Sequence, residues 1–312
     1  MAPDSWAVRE DVLAILAVRS FSTRAERVLT AVAAGKQRPT RLVVAVAAQE
    51  DPTVRAAVES TCGSVPTTTV FVGPCPNLAT VVARARREVT VVEPWVWILH
   101  EDSAPTYDCL SELTAVGERS TKLGAVGPKQ VDWDDPEQLV EVGIRATRSG
   151  RRVPEIDVGE RDQGQYDIRS DVLGIGTAGM LVRLAAAEEV GWLDTALGPF
   201  GDGLEFSRRL RAAGWRVAIS PGASIQHERV SFAKGKQSYG KRRAAQLYNS
   251  LVAARALWLP FAVLGYVLGG PIRALARLLT KEPGLAAQEL SAVGAMVGML
   301  PKALAARARL RR

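Results

Sequence analysis

Three short stretches of this 312-residue chain carry side chains able to do chemistry, and they lie far apart. The first follows an apolar run, Trp95 to Leu99, after which His100, Glu101 and Asp102 come in succession before Pro105 closes the turn. A histidine and two carboxylates there are either a polar turn or the edge of a ligand site, because open parallel sheets bind ligands beyond the carboxyl ends of their strands. The second stretch is Asp202-Gly203-Leu204-Glu205, at the opening of a helix. Acids in a first turn suit the helix end whether or not they also move protons. The third is His227, which follows a short strand and is a structural hydrogen-bonding residue or a ligand. It and His100 are the only histidines in the chain. Gly176-Thr177-Ala178-Gly179 adds a glycine-punctuated segment whose backbone can approach a ligand, or a packed neighbour, closely. Cys62, Cys75 and Cys109 have no metal-ligand spacing and are odd in number, so neither a zinc ribbon nor a disulfide framework is expected.

The elements that must position these groups alternate between two periodicities. Val12 to Val18, Leu42 to Ala47, Thr69 to Val72 and Trp95 to Leu99 are continuous apolar runs of strand length, as strands buried on both faces read. Between them, Arg24 to Ala34, Thr53 to Ser60 and Asn77 to Arg87 have helical spacing. The alternation predicts βαβ units and a mostly parallel sheet. From about Asp132 to Asp171 the pattern weakens into an extended, partly irregular insertion. Order returns at Asp171 to Arg183, followed by helices over Leu184 to Val190 and about Leu204 to Ala213, and by a short strand, Arg216 to Ile219.

Charge divides the chain. Residues 1–228 hold 25 basic against 31 acidic residues, whereas residues 229–312 hold 15 against 2, for a total of +7. With 47% hydrophobic and 23% charged residues the whole excludes a disordered or fibrous protein. The length suggests one large domain with an appendage. We divide it into 1–230 and a helical, membrane-associating region, 231–312. Ala256 to Ile272 is uncharged, but Pro260, Gly265, Gly269, Gly270 and Pro271 interrupt it, so a helix pair in the membrane interface is expected rather than a regular span. A second amphipathic stretch, Leu285 to Leu300, precedes Arg307, Arg309, Arg311 and Arg312. Basic groups around such segments are drawn to anionic headgroups. No nucleic-acid-binding motif accompanies them, so nucleic acid is not an expected partner. No apolar stretch follows a basic start at Met1, so no secretory signal is expected.

In order and spacing, WVWILHEDSAP (Trp95 to Pro105), GTAGMLVRLAAAEEVGWLD (Gly176 to Asp194), FGDGLEFSRRLRAAGWRV (Phe200 to Val217) and SPGASIQHE (Ser220 to Glu228) resemble the family 2 glycosyltransferases of the GT-A fold, over roughly residues 10–230. Within that family the chain is most similar to actinobacterial enzymes with membrane-associated C-terminal segments. The resemblance implies an α/β GT-A domain and inverting, hexosyltransferase-like transfer from a nucleotide-sugar donor to a glycan or polyprenyl-linked acceptor of the cell envelope. The work would take place at the cytoplasmic face of the membrane. A cation, Mg²⁺ or Mn²⁺, would offset charge on the departing diphosphate.

By the same resemblance Asp102, with Glu101 beside it, holds the metal, His227 completes the metal or diphosphate site, and His100 orients the loop or touches the diphosphate. Asp202 and Glu205 match the outer acids of the catalytic motif, whose middle acid is replaced by Gly203. Gly179 lies at the donor sugar or acceptor, and Arg209 steadies the diphosphate or the helix. Where the family has a nucleotide-holding aspartate this chain has Ala47-Ala48-Gln49, leaving Glu50 or Asp51 as substitutes. Arg19-Ser20-Phe21 faces the nucleotide pocket, with Phe21 either stacked on a base or in the core. Gly203 and the missing aspartate motivate an alternative, a catalytically degenerate domain serving as a membrane-bound scaffold or sugar-binding partner. A nucleotidyltransferase would need a glycine-rich basic loop after the first strand, which Arg19 to Arg27 lacks.

Overall fold

The computed structural model describes residues 12–147, 149–153, 155–198, 200–228 and 239–309. β1 (Val12–Val18), α1 (Thr23–Ala34), β2 (Arg41–Val46), α2 (Pro52–Cys62), β3 (Thr67–Phe71), α3 (Leu78–Glu88) and β4 (Trp95–His100) alternate as the periodicity predicts. β1 pairs in parallel with both β2 and β4, and β2 with β3. Both faces of these strands are covered. Val12, Ala14, Leu16 and Val18 pack with α1 and α2, while Leu13 and Ile15 pack with α3. That two-sided burial is why the strands read as unbroken apolar runs.

After β4 the chain adds β5 (Ser103–Pro105), α4 (Cys109–Gly117), β6 (Leu123–Asp132) and three short strands, β7 (Leu139–Glu141), β8 (Arg145–Ala146) and β9 (Arg152–Val153). β10 (Met180–Arg183), α5 (Leu184–Val190), α6 (Asp202–Ala212) and β11 (Arg216–His227) complete the sheet. Its order is β3-β2-β1-β4-β10-β6-β11-β5, with β7 also on β6 and β8–β9 forming a separate hairpin. β10 runs antiparallel to β4 and β6. β11 corrects the sequence reading. It does not stop at Ile219 before Pro221 but continues for twelve residues, because a register shift between Ser220 and Ser224 takes up the Pro-Gly-Ala segment while pairing with β6 persists.

The C-terminal part is helical: α7 (Tyr239–Ala253), α8 (Leu259–Leu279), α9 (Pro283–Gly298) and α10 (Leu300–Arg309). The expected helix pair over residues 256–272 is instead a 3₁₀ turn, Ala256–Trp258, leading into one continuous helix with Pro271 inside it. An interior proline costs about 3 kcal/mol. Close packing opposes that cost: a side chain on Gly270 would come within 2.5 Å of Val293 on α9. The second predicted stretch ends at Gly298, where the chain bends by 51° into α10. Arg307 is buried and donates to the carbonyls of Leu251 and Val252. Arg311 and Arg312 lie outside the described residues. α7 is tied to the sheet domain, with Tyr248 and Leu247 packed near Leu197 and the Tyr248 hydroxyl donating to Asp194.

Candidate functional site

Strand pairing, not sequence proximity, assembles the site. β4 ends at His100, and Ser103 stabilises the turn that follows: its Oγ accepts from the His100 N–H at 2.9 Å and donates to the His100 carbonyl at 3.0 Å. β5 then lies antiparallel to the end of β11, with Ser103 opposite His227. The N–H of Glu228 donates to the Asp102 carbonyl at 3.0 Å. Asp102 and His227 therefore meet, and His100 joins them. One ligand atom from each of the three lies within 4.8 Å of the others, and the two imidazoles stand edge to face with centroids 5.7 Å apart.

The group fits a divalent cation on its own chemistry. Asp102 Oδ2 and His227 Nε2 are buried and make no hydrogen bond. His227 Nε2 stands 3.6 Å from Asp102 Oδ1, beyond hydrogen-bond reach. Unpaired buried polar atoms are costly and call for a partner. The far side of His227 is fixed: Gln130 donates its amide to Glu141 at 3.4 Å, which turns the Gln130 Oε1 toward His227 Nδ1 at 2.9 Å. With Nδ1–H donating there, Nε2 is left to face Asp102, the orientation in which imidazole binds metals. Burial opposes ionisation of Asp102, but His227 and His100 beside it outweigh burial and hold the carboxyl down at about 2. Burial lowers His100 to about 4, helped by His227 and Arg19 and opposed by Asp102, so this imidazole is neutral at pH 7.

A second carboxylate faces the opposite way electrostatically. Asp202 is the first residue of α6 and is buried. Its Oδ1 accepts from the Gly203 N–H at 2.8 Å, and its Oδ2 accepts from the Thr177 hydroxyl at 3.4 Å. Thr177 Oγ1 is also 3.1 Å from His100 Nε2, so one hydroxyl links the two carboxylate regions. Burial pushes Asp202 up to about 6, against the Gly203 N–H, Arg152 and Thr177, which favour the charged form. The absence of an acid at position 203 has a steric cause. A Cβ there would sit 2.3 Å from the Ile175 carbonyl oxygen, so α6 can pack against this backbone only with glycine at that position.

These groups open on one cavity of about 870 Å³. His100, Glu101, Asp102, Asp202, Gly203, His227 and residues 176–178 line it. Arg19 and residues 75–78 form the part beside β1 and α3. Several residues expected at the site are elsewhere. Glu205 is fully enclosed in a bidentate pair with Arg209, at 2.7 Å from both Nε and Nη2, and Arg209 also holds the carbonyls of Val190 and Trp192. Both are spent tying α6 to the end of α5, and Arg209 steadies a helix, not a diphosphate. Asp51 caps α2 by accepting from the Thr53 N–H and hydroxyl. Glu50 is exposed and paired with Arg55. Gly179 has φ +77° and would meet Ile225 and Pro128 within 3 Å if it bore a side chain, so it serves packing, while Gly176 reaches the cavity. Phe21 packs against the core. Glu101 lines the cavity but is engaged by the Arg19 N–H, the Arg19 guanidinium and the Ser20 N–H, which shapes the loop after β1.

Sequence reasoning missed the residues that hold the site from behind: Gln130, Glu141 and Ser103, the bridging role of Thr177, and Asn249 on α7. Asn249 donates to the Gly201 carbonyl at 3.2 Å, directly before Asp202. Gln130, Glu141 and Asn249 stand in no quoted motif, while Ser103 and Thr177 lie inside two of them without being singled out.

A doubly wound sheet with an antiparallel β10, a turn after β4 bearing a metal-capable cluster, and an acid at the start of α6 define a GT-A-like glycosyltransferase domain. The family model described as "Glycosyltransferase like family 2" matches residues 12–249, and the chain belongs to that family. No curated protein matches it in sequence. Among solved structures it is similar to GalNAc-T7 with UDP, GalNAc and Mn²⁺, at 10% identity and a TM-score of 0.58, over 78% of this chain and 47% of that one. It is also similar to the mannosyltransferase PcManGT from Pyrobaculum calidifontis in complex with GDP-Man and Mn²⁺, at 15% identity and a TM-score of 0.57, over 95% of this chain and 89% of that one. The chain thus spans about half the length of the first and nearly all of the second. At these identities the likeness establishes the shared fold.

Proposed function

We propose that this chain is an inverting, metal-assisted hexosyltransferase that moves a sugar from a nucleotide-sugar donor to a glycan or lipid-linked acceptor of the cell envelope. The observation that carries the reading is that a buried cluster with unpaired ligand atoms and a carboxyl raised toward neutrality open on the same cavity. His100, Asp102 and His227 would hold the cation, which when bound offsets the charge developing on the diphosphate leaving group. Two imidazoles with one carboxylate suit Mn²⁺ better than Mg²⁺, which prefers an all-oxygen shell.

Asp202 is the base. A carboxyl held near 6 is substantially ionised at pH 7 and still basic enough to take the proton of an acceptor hydroxyl as that oxygen attacks the sugar carbon. Thr177 and the Gly203 N–H orient it, and the Gly201 carbonyl held by Asn249 fixes where α6 begins. Arg19, positioned by Glu101, lines the donor side.

The site would work at the cytoplasmic face of a membrane. Ala256–Leu279 is long and apolar enough to cross one, by length and composition only. Its outward residues, among them Trp258, Phe261, Leu264 and Ile272, are exposed. With basic residues on either side, the helix suits an interfacial position, apolar face down. The test is transfer or hydrolysis of UDP-, GDP- and dTDP-sugars with Mn²⁺, together with thermal shifts by the same compounds. A stabilising shift that requires Mn²⁺ is expected for one nucleotide. Absence of turnover with all three, and identical behaviour of the Asp102→Ala variant, would favour a scaffold.

A further inference from the structure

Behind His227 a chain of polar groups leads away from the metal-capable cluster, and its polarity is set at the far end. Glu141, on β7, is buried and accepts from two sides. Its Oε1 takes the Gln130 amide at 3.4 Å, and its Oε2 takes the guanidinium of Arg152, on β9. An ionised carboxylate can only accept, so the amide nitrogen of Gln130 turns toward it and the amide oxygen turns toward His227 Nδ1, at 2.9 Å. Each link then has one allowed direction. The imidazole ends with its proton on Nδ1 and a lone pair on Nε2.

Counting acceptors shows why position 141 calls for a carboxylate rather than an uncharged amide. Arg152 and Gln130 each require an oxygen, and a carboxylate supplies one to both. A glutamine supplies only one in all, and the charged guanidinium is the stronger claimant. The glutamine nitrogen would then face Gln130, whose amide would turn over and point its own nitrogen at His227 Nδ1. That places the imidazole proton on Nε2, the atom that faces Asp102 without a hydrogen bond. A ring nitrogen that bears a proton cannot ligate a metal.

The backbone makes room for this arrangement. A Cβ on Gly176 would lie 2.4 Å from Gln130 Nε2 and 2.6 Å from Glu141 Oε1. Gly203 of α6 packs on the same segment, where its own Cβ would lie 3.2 Å from the Gly176 Cα. The glycine-punctuated segment is bare where the Gln130–Glu141 pair crosses it.

We infer that Glu141 is a positioning residue for the cation site: acting through Gln130, it decides which nitrogen of His227 is free to bind metal, and a carboxylate is needed because Arg152 claims its other oxygen. This rests on the reading above in which His227 ligates the cation.

The test uses the full chain without a histidine tag, in detergent micelles at pH 8 and free of metal. With two histidines in the sequence, ¹⁵N-histidine labelling gives two imidazole signals, assigned with His100→Gln, and the ¹⁵N shifts tell the tautomers apart. His227 should be protonated on Nδ1 in the unaltered protein. Glu141→Gln should move the proton to Nε2 and leave His100 unchanged. It should also weaken Mn²⁺ binding without nucleotide, measured by electron paramagnetic resonance, by about 10–100-fold, the usual cost of losing an outer partner of a metal ligand. The exchanged pair, Gln130→Glu with Glu141→Gln, keeps the net charge and rebuilds the polarity, because the amide can then bridge from Arg152 to a carboxylate that accepts from Nδ1. It should restore both the tautomer and the Mn²⁺ affinity. Gly176→Ala removes no polar group but crowds the pair, and should mix the tautomers. If Glu141→Gln lowers the unfolding temperature yet leaves the tautomer and Mn²⁺ affinity unchanged, the residue is merely structural and the inference is overturned; a folded exchanged pair that restores neither also overturns it. Failure of the transferase reading looks different: no nucleotide shift with Mn²⁺ in the unaltered protein, while tautomer and Mn²⁺ affinity still follow residue 141.

Discussion

Two buried carboxylates, in the turn after β4 and at the start of α6, are linked through His100 and Thr177 and yet titrate in opposite directions. Asp102 is held at about 2 because two imidazoles outweigh its burial; Asp202 is raised to about 6 because burial outweighs the Gly203 N–H, the charge of Arg152 and a long hydroxyl contact with Thr177. Two acids of one kind are thereby given two titration behaviours, a permanent anion and a carboxyl poised near neutrality, which is the division that the proposed roles require. The lesson is that neighbours, not residue type, assign the roles.

The sharpest way to break that comparison is to remove each carboxylate in turn. Asp102→Asn should abolish the Mn²⁺-dependent nucleotide shift and lower turnover by about a thousandfold or more, since it takes away the charged member of the cluster. Asp202→Asn should leave the nucleotide shift in place and lower kcat by about 10²–10⁴-fold, the usual worth of a positioned base. If both variants lose nucleotide binding equally, the division of labour is wrong.

Stability without donor or metal should separate the pair by sign. A raised folded-state pKa means the native protein holds a proton that the unfolded chain has lost between about pH 4 and 6. Asp202 therefore costs stability increasingly as pH rises through that window, and above pH 6 the cost is complete. Asp202→Asn should accordingly stabilise the fold by roughly 3 kcal/mol at pH 8 and by little at pH 4, read by urea denaturation. Asp102, held low, contributes stability above about pH 4 and loses it toward pH 2, so Asp102→Asn should be destabilising at pH 8, by about 2 kcal/mol. A stabilising Asp102 variant would contradict the arrangement of imidazoles around it.

Gly203→Asp, which would restore an acid to the middle of the motif, should not enhance activity. The Cβ would press on the Ile175 carbonyl, and a loss of about 2–4 kcal/mol is expected in thermal or urea unfolding. At the small end, Asp51→Ala should cost about 1 kcal/mol as a lost helix cap and leave nucleotide affinity unchanged. A drop in nucleotide affinity would restore Asp51 to the donor site.

Much of this is legible in the sequence alone. The βαβ order, the turn after Trp95 to Leu99 and both histidines stood out because burial on two faces writes continuous apolar runs and leaves polar residues only where strands end. Other features were misread because their cause is not local. Glu205 looks like a functional acid at the head of a helix, and the choice for Arg209 between diphosphate and helix is open in the sequence; only the carbonyls of Val190 and Trp192 reveal a buried brace. Pro221 and Pro271 look like terminators, yet a bulge carries β11 past one and the packing of Gly270 on Val293 carries α8 past the other.

Residue types and spacing by themselves fixed the class of fold and the presence of two acidic motifs and two histidines, since periodicity and turn chemistry are local properties of the chain. Which carboxylate stays charged and which is held near neutrality, why position 203 must be bare, and why eight arginines line one cavity were decided only by tertiary packing. Distance, desolvation and strand pairing act between residues that the sequence keeps far apart.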